Sequence, residues 1–324
     1  MKAIVVNESQ ALVWTEAQIG EPGPHEILIE VRASAVNRAD LMQRRGLYPP
    51  PQGASQIMGL ECAGVVLAVG SAVTRHGPGD SVCALLAGGG YAERVLVDEG
   101  SAVSIPAGLD FESAAALPEV FATAWLNLFI EAGLQPGERV VLHAGASGVG
   151  TAGIQLCRAF GAECFVTAGS TEKIQACLGL GAAGGHDRRN GSFLEALSAL
   201  WPEGCDVILD PVGGQYLSDN LDGLRMNGRL VLIGLMGGAA CEINLAKLMM
   251  KRLKVVGSTL RTRPLPEKTS VMAELEQYVW PKIEEGEIKP IIHEVFPMDR
   301  AEDAQALVAS DVTVGKVILK VGGV

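Results

Sequence analysis

The chain has 324 residues, 48% of them hydrophobic, enough to bury one large α/β unit or two domains, and intrinsic disorder is excluded for most of it. Its 37 acidic and 26 basic residues give a net charge of −11, which repels phosphate backbones and anionic lipid and argues against nucleic-acid or membrane-surface partners. MKAIVVNESQ at the start is too short an apolar run for a signal peptide, no stretch reaches the roughly 18 apolar residues of a membrane span, and the seven cysteines form no C-x-x-C pair, so a reducing, cytoplasmic setting is expected.

Residues 1–110 read as β-rich, with strands expected at Ala3–Val6, Glu26–Val36, Ala63–Val69, Ser81–Leu85 and Tyr91–Val97, separated by Gly and Pro. Many short strands with one helix suggest a small barrel. The helix is Arg38–Arg45, with Asn37 as N-cap and Asp40 at the third helical position, and it runs into the turn Tyr48-Pro49-Pro50-Pro51. Two helical segments follow, Phe111–Ala116 ending at Pro118, and Val120–Ala132.

From about 136 onward, strands at 139–143, 163–168, 206–210, 229–234 and 254–257 alternate with helices, the pattern of a doubly wound parallel sheet. Residues 138–153, ERVVLHAGASGVGTAG, carry the strongest motif: an apolar strand, a glycine-rich turn and a helix start. Backbone N–H groups at such a helix start bind a pyrophosphate, and glycine lets the backbone approach it. Two registers fit, Gly148-Gly150-Gly153 or Gly145-Gly148-Gly150, and both place the phosphates on the turn Gly145-Ala146-Ser147-Gly148-Val149-Gly150. Beyond 264 come a helix Glu267–Glu284, a strand around Ile291–Val295, a helix Ala301–Ala309 and a strand Val314–Val321, a tail expected to return to the first domain. The domains are thus 1–119 with 265–324, and a dinucleotide-binding domain over 120–264.

An acidic residue at the end of the second strand selects NAD by bonding its ribose hydroxyls. Here that position is neutral, Ala168-Gly169-Ser170, and Ser170 with Lys173 offers a hydroxyl, N–H groups and an ammonium to a 2′-phosphate. NADPH is the expected cofactor. The alternative reading makes Ser170 an N-cap and Lys173 a solvated side chain, and Glu172 counts against the phosphate. Arg188 and Arg189, after a short third strand, add positive charge near the adenine end.

Histidines at 25, 76, 143, 186 and 293 are scattered, none is closely spaced with a cysteine, and neither a G-x-S-x-G elbow nor an S-x-x-K motif occurs, so neither a zinc site nor a serine nucleophile is expected. Hydride transfer to an electron-poor acceptor needs neither.

AVNRADLMQRRGLYPPP at 35–51, GLECAGVV at 59–66, PGDSVCALLAGGGYAE at 78–93, AAALPEVFATAW at 114–125, HAGASGVG at 143–150, LDPVGG at 209–214 and GLMGG at 234–238 occur in one order. On these stretches the chain resembles the medium-chain dehydrogenase/reductase superfamily over its whole length. It is most similar to the zinc-free quinone oxidoreductase branch that includes zeta-crystallin, and within it to the tumour-suppressor-inducible subgroup. The resemblance implies an α/β fold made of a Rossmann doubly wound parallel sheet and a GroES-like β-barrel catalytic domain, with a substrate cleft between the two. It also implies the metal-free state: Asn37 stands where zinc-dependent relatives carry a ligand Cys, Leu60 where they carry His, and the four-cysteine lobe of structural zinc is missing.

By the same resemblance Asn37, Tyr48 and the 88–91 glycine loop form one wall of the cleft, with Tyr48 stacking on or hydrogen-bonding the acceptor, or serving only as an aromatic lid that closes the cleft. Thr123, Leu235-Met236-Gly237 and Ser258-Thr259-Leu260 line the nicotinamide end, and Arg188 replaces the usual Tyr at the adenosine contact. The implied activity is NADPH-dependent reduction of a quinone, with reduction of an enone or 2-alkenal as the alternative and an NADPH-binding structural protein as the non-enzymatic one. Relatives commonly dimerise through the edge strands of their dinucleotide domains, which makes a homodimer the expectation.

Overall fold

Alternation over much of EILIEVRASAV, broken by Leu28 and Val36, produces the longest strand of the protein, Glu26–Val36, and this strand organises the first unit of the computed structural model, which describes residues 1–322. One edge pairs antiparallel with Glu61–Val69. Its other edge is shared, with Arg94–Asp98 pairing along Glu26–Glu30 and the C-terminal strand Lys316–Lys320 pairing along Ala33–Val36. Ser81–Leu85, Ala102–Ser104 and Ile292–Pro297 complete a seven-stranded sheet, and Lys2–Val6 forms a separate hairpin with Leu12–Glu16. The apolar faces bury two clusters, one around Ile4, Leu41, Met58, Tyr91 and Phe296, the other around Ile27, Ile29, Val66, Val82 and Val95.

A second unit, Thr123–Thr259, holds six parallel strands in the spatial order Gly184–Asp187, Glu163–Ala168, Arg139–Leu142, Cys205–Asp210, Leu224–Leu232 and Lys254–Gly257. Numbered within this unit the order is 3-2-1-4-5-6, the doubly wound Rossmann arrangement, whose switch point lies beside the first strand. Its core gathers Val141, Phe165, Phe193, Leu197, Trp201 and Ile208. The first unit comprises Met1–Ala122 and the chain from Leu260 onward. The crossings therefore fall at 122/123 and 259/260, where the sequence places them at 119/120 and 264/265, and Leu260 belongs to the first unit.

Three local expectations are corrected. Tyr91 and Ala92 are not in the Arg94–Asp98 strand: Tyr91 receives the Ile4 N–H on its carbonyl, and Ala92 bridges Ala3. Pro118 does not merely end a helix but opens the next one, Pro118–Trp125, where its missing N–H costs nothing. The 267–284 helix is interrupted by a wider π turn at Leu275–Val279, just before Pro281, whose missing donor breaks the regular ladder. Phe111–Glu131 is long and apolar enough to cross a membrane by length and composition, yet 78% of its apolar window is buried in the protein, as expected of a core helix.

Candidate active site

The strand Arg139–Leu142 is apolar and buried from Val140 onward, and the chain leaves it through a tight turn in which Ala144 takes a positive φ of 55°. A Cβ on Gly145 would lie 2.6 Å from Val166 Cβ, and one on Gly150 would strike the carbonyl oxygens of Gly145 and Ala144. At Gly153 an added Cβ meets only side-chain ends, Leu142 at 3.2 Å and Leu128 at 3.8 Å. The close backbone approach therefore belongs to Gly150, which both registers share, while Gly145 is packed against the Val166 side chain. Ser147 caps the helix Gly148–Ala159, its hydroxyl accepting the Gly150 N–H at 3.1 Å. Gly148 and Val149 N–H groups have no acceptor among the described residues, so the first turn of a 12-residue helix presents two donors and the positive end of its dipole. That cradle fits a pyrophosphate.

Ala168 ends the second strand, and Ser170 caps the following helix, accepting the Lys173 N–H at 3.2 Å. Lys173 is buried, 8% exposed, so the solvated side chain of the alternative reading is not what forms. Arg189 turns back onto Asp187, Nε to Oδ1 at 3.0 Å and Nη2 to Oδ2 at 2.6 Å, and holds that carboxyl down at about 2. Arg188 instead acts on Tyr216, opposing the rise that burial imposes on its hydroxyl.

A hydrogen-bond network joins His143 of the HAGASGVG stretch to Asp210 of LDPVGG through Asn220, which no motif in the sequence marks. His143 Nε2 bonds Asn220 Oδ1 at 2.7 Å, and Asn220 Nδ2 donates to Asp210 Oδ2 at 2.9 Å. Asp210 Oδ1 accepts the Val212 and Gly213 N–H groups at 2.6 and 3.1 Å. Because Asn220 presents its oxygen, His143 carries its proton on Nε2 and accepts on Nδ1 from Thr167, 3.0 Å away. Burial lowers the His143 pKa, and the neutral ring fits this pattern. The LDPVGG and GLMGG loops are joined directly, Gly237 N–H to Val212 O at 2.7 Å and Gly214 N–H to Gly238 O at 2.9 Å, while Leu235 and Met236 stay exposed. Ser258 is buried and donates its N–H to Leu232 O, Thr259 is exposed, and Thr123 is buried with its carbonyl held by Asn127 Nδ2.

In the first unit, Asn37 is committed at both ends of its amide. Lys316 Nζ donates to Asn37 Oδ1 at 2.6 Å, to Glu61 Oε1 at 2.7 Å and to Val36 O at 3.1 Å, which accounts for all three ammonium protons. Asn37 Nδ2 donates to Glu61 Oε1 at 2.8 Å, and Glu61 Oε2 accepts the Glu119 N–H at 2.9 Å. In the sequence Lys316 is one polar residue within the expected strand Val314–Val321, with no signal that its ammonium faces inward. Asn37 and Leu60, which the resemblance sets where zinc-dependent relatives carry ligands, and the adjacent Glu61 offer an amide, an alkyl group and a carboxylate already paired with an ammonium. Among the described residues no three His, Cys, Asp or Glu converge. The donor set does not fit zinc.

Asp40 is wholly buried and accepts from Asn37 N–H at 2.8 Å, Gly59 N–H at 3.1 Å and Tyr91 hydroxyl at 3.0 Å. Burial lifts its pKa to about 6 against these bonds. A raised acid binds its proton more tightly folded than unfolded, so its stabilising contribution is full below about 4 and is lost as pH rises through 6. We expect the stability of the wild type relative to Asp40→Asn to fall between pH 4 and pH 7, by at most about 3 kcal/mol. Urea unfolding of both proteins across that range measures it, and parallel curves would refute it.

Tyr48 is half-buried, and burial raises its pKa while Arg261 opposes the rise. No motif in the sequence points to Arg261, yet its guanidinium lies 5.3 Å from the centroid of the Tyr48 ring.

Comparison with known proteins agrees with this geometry. Residues 23–107 match the alcohol dehydrogenase GroES-like domain, and residues 148–277 the family described as zinc-binding dehydrogenase. The chain is 30% identical over 311 residues to quinone oxidoreductase of Rattus norvegicus, covering 94% of this chain and 92% of that one. It is 31% identical over 315 residues to synaptic vesicle membrane protein VAT-1 homolog of Homo sapiens, covering 93% and 80%. Among solved structures, Escherichia coli quinone oxidoreductase complexed with NADPH superposes with a TM-score of 0.85 at 29% identity, over 98% of both chains. CurK enoyl reductase superposes with a TM-score of 0.85 at 29% identity, over 99% of both chains. With a GroES-like unit, a Rossmann unit and full-length quinone oxidoreductase relatives, the chain belongs to the medium-chain dehydrogenase/reductase superfamily of oxidoreductases.

Proposed function

We propose that the protein is a metal-independent, NADPH-dependent quinone reductase. The observation that carries this reading is the Ser147-capped turn, where Gly145 and Gly150 leave no room for a Cβ and the Gly148 and Val149 amides bond no acceptor among the described residues. NADPH, when bound, supplies the hydride. The chain binds the pyrophosphate on that turn and the 2′-phosphate with Ser170 and Lys173, while Arg188 serves the adenosine end. Thr123, Leu235-Met236-Gly237 and Ser258-Thr259-Leu260 serve the nicotinamide end.

On the acceptor side, burial keeps the Tyr48 hydroxyl protonated at neutral pH, so it donates to an acceptor oxygen as charge develops there. Asn37, held by Glu61 and Lys316, keeps a fixed orientation and does not rotate to follow a ligand. No protein base is needed, since quinone reduction is downhill and solvent supplies the protons; the chain contributes alignment and exclusion of water.

The test is NADPH and NADH oxidation against a benzoquinone, an ortho-quinone, an enone and a 2-alkenal, with chelator present. Fast NADPH-dependent quinone turnover supports the proposal. The structural likeness to an enoyl reductase favours a second reading, reduction of an activated C=C with Tyr48 as the acid, and preference for the enone or alkenal would install it. Tight NADPH binding without turnover of any of these would point to a structural protein instead.

Lys173→Ala is expected to weaken NADPH about tenfold or more and NADH hardly at all, because only NADPH carries the phosphate that the ammonium meets. Equal losses in two fluorescence titrations would refute that role. We further propose a homodimer in the cytoplasm. The edge strand Lys254–Gly257 and the neighbouring helix Leu245–Lys251 expose Val255, Leu245, Met249 and Met250, an apolar patch suited to a second copy, and six buried free thiols suit a reducing compartment. Sedimentation at twice the chain mass would support the dimer, and the single-chain mass would refute it.

A further inference from the structure

A basic residue between Leu260 and Thr262 has nothing in its sequence surroundings to mark it, and solvent is its ordinary place. Arg261 is instead 6% exposed. Nε donates to Ala87 O at 2.9 Å, Nη1 to Tyr48 O at 3.2 Å and Nη2 to Gln43 Oε1 at 2.7 Å, with the Tyr48 ring against the guanidinium. No carboxylate among the described residues forms an ion pair with it. Burying a cation in this way is costly, and it is tolerated only where a planar fork meets several well-placed acceptors. A lysine, with a single point of donation, does not span them.

The three acceptors come from three separate segments. Gln43 lies in the last turn of the helix Arg38–Arg44, and its Nε2 also reaches Gln56 O at 3.1 Å. Tyr48 lies in the turn that follows. Ala87 leads into the glycine loop, which is itself tied to the 57–59 segment by Gly89 N–H to Ile57 O at 2.7 Å and Gly90 N–H to Gly59 O at 3.1 Å. Remove Arg261, and neither the Tyr48 turn nor the Ala87 end of the glycine loop keeps this shared anchor.

We propose that Arg261 is a positioning residue that clamps the Tyr48 turn and the glycine loop into one rigid wall, so that a flat acceptor meets a preformed face. This rests on the reading of Tyr48 as the acceptor contact. Arg261 directly follows Ser258-Thr259-Leu260, so the segment assigned to the nicotinamide end and the clamp on the acceptor wall are consecutive in the chain. Preformed geometry matters because a misplacement of about 1 Å at a reacting centre costs on the order of 100-fold in rate.

Arg261→Met, which keeps the stem and removes every donor, tests the clamp by two readouts. Amide exchange at 43–48 and 86–91 should quicken about tenfold or more while the strands of the dinucleotide unit keep their protection. KM for the quinone should rise about tenfold or more with the NADPH Kd within about twofold. Unchanged exchange in both segments, or a loss spread evenly over the first unit, overturns the proposal. Arg261→Lys should restore protection to one of the two segments and not both; full restoration overturns the argument from the fork, and this variant carries the test if the Met protein does not fold. The exchange readout needs no substrate. If quinone turnover is absent in the wild type, the assignment of activity fails while the clamp is still decided.

Discussion

Replacing Gly150 by alanine is expected to weaken dinucleotide binding about 100-fold or more. Its Cβ would strike Gly145 O and lie 2.6 Å from Ala144 O, both backbone atoms of the turn that cannot step aside as a side chain can. Relief requires the helix start to move off the turn, and with it the Gly148 and Val149 amides that face the phosphates. Helix propensity works in the opposite direction, since alanine is favoured over glycine by about 1 kcal/mol in a helix, so the fold should survive. Gly153→Ala is the matched control, because its Cβ meets only flexible side-chain ends, Leu142 at 3.2 Å and Leu128 at 3.8 Å. Titration of NADPH fluorescence on both variants separates them. Binding by the Gly150 variant within about threefold of wild type would remove this turn as the phosphate site.

Lys316→Met should cost about 3–5 kcal/mol of stability, because it strands a wholly buried carboxylate. Glu61 is 0% exposed and Lys316 4%, and the ammonium is the only cation paired with Glu61 among the described residues. The loss should be largely cooperative: Glu61→Gln in the Lys316→Met background should recover about 2 kcal/mol or more, because a neutral amide no longer demands a counter-charge. Urea unfolding of the two single variants and the double variant gives the coupling energy directly. Additive losses would mean that the ammonium and the carboxylate are stabilised separately by their other partners, Val36 O and the Glu119 N–H.

Much of the dinucleotide unit is legible in the amino-acid sequence. The strand at 139, the glycine turn and the neutral end of the second strand are consecutive in the chain, and each depends on neighbours within a few residues. Local physics alone explains why the 163–168 and 254–257 strands and the 301–309 helix stand where periodicity places them. Local reading fails where a distant partner competes. Tyr91 and Ala92 have strand-like composition but are taken by the N-terminal strand, and Pro118 reads as a breaker until a helix begins on it.

By itself the sequence determined the superfamily, the two-unit architecture and the phosphate-binding turn, because short-range periodicity, glycine geometry and motif order are written along the chain. Only the tertiary structure decided what the isolated charges do. Lys316 and Glu61 are 255 positions apart and Arg261 and Tyr48 are 213 apart, and nothing local distinguishes a buried ammonium or guanidinium from a solvated one. A long flexible cation is exposed by default, and it goes inside only when the fold brings enough acceptors to one point to replace its water.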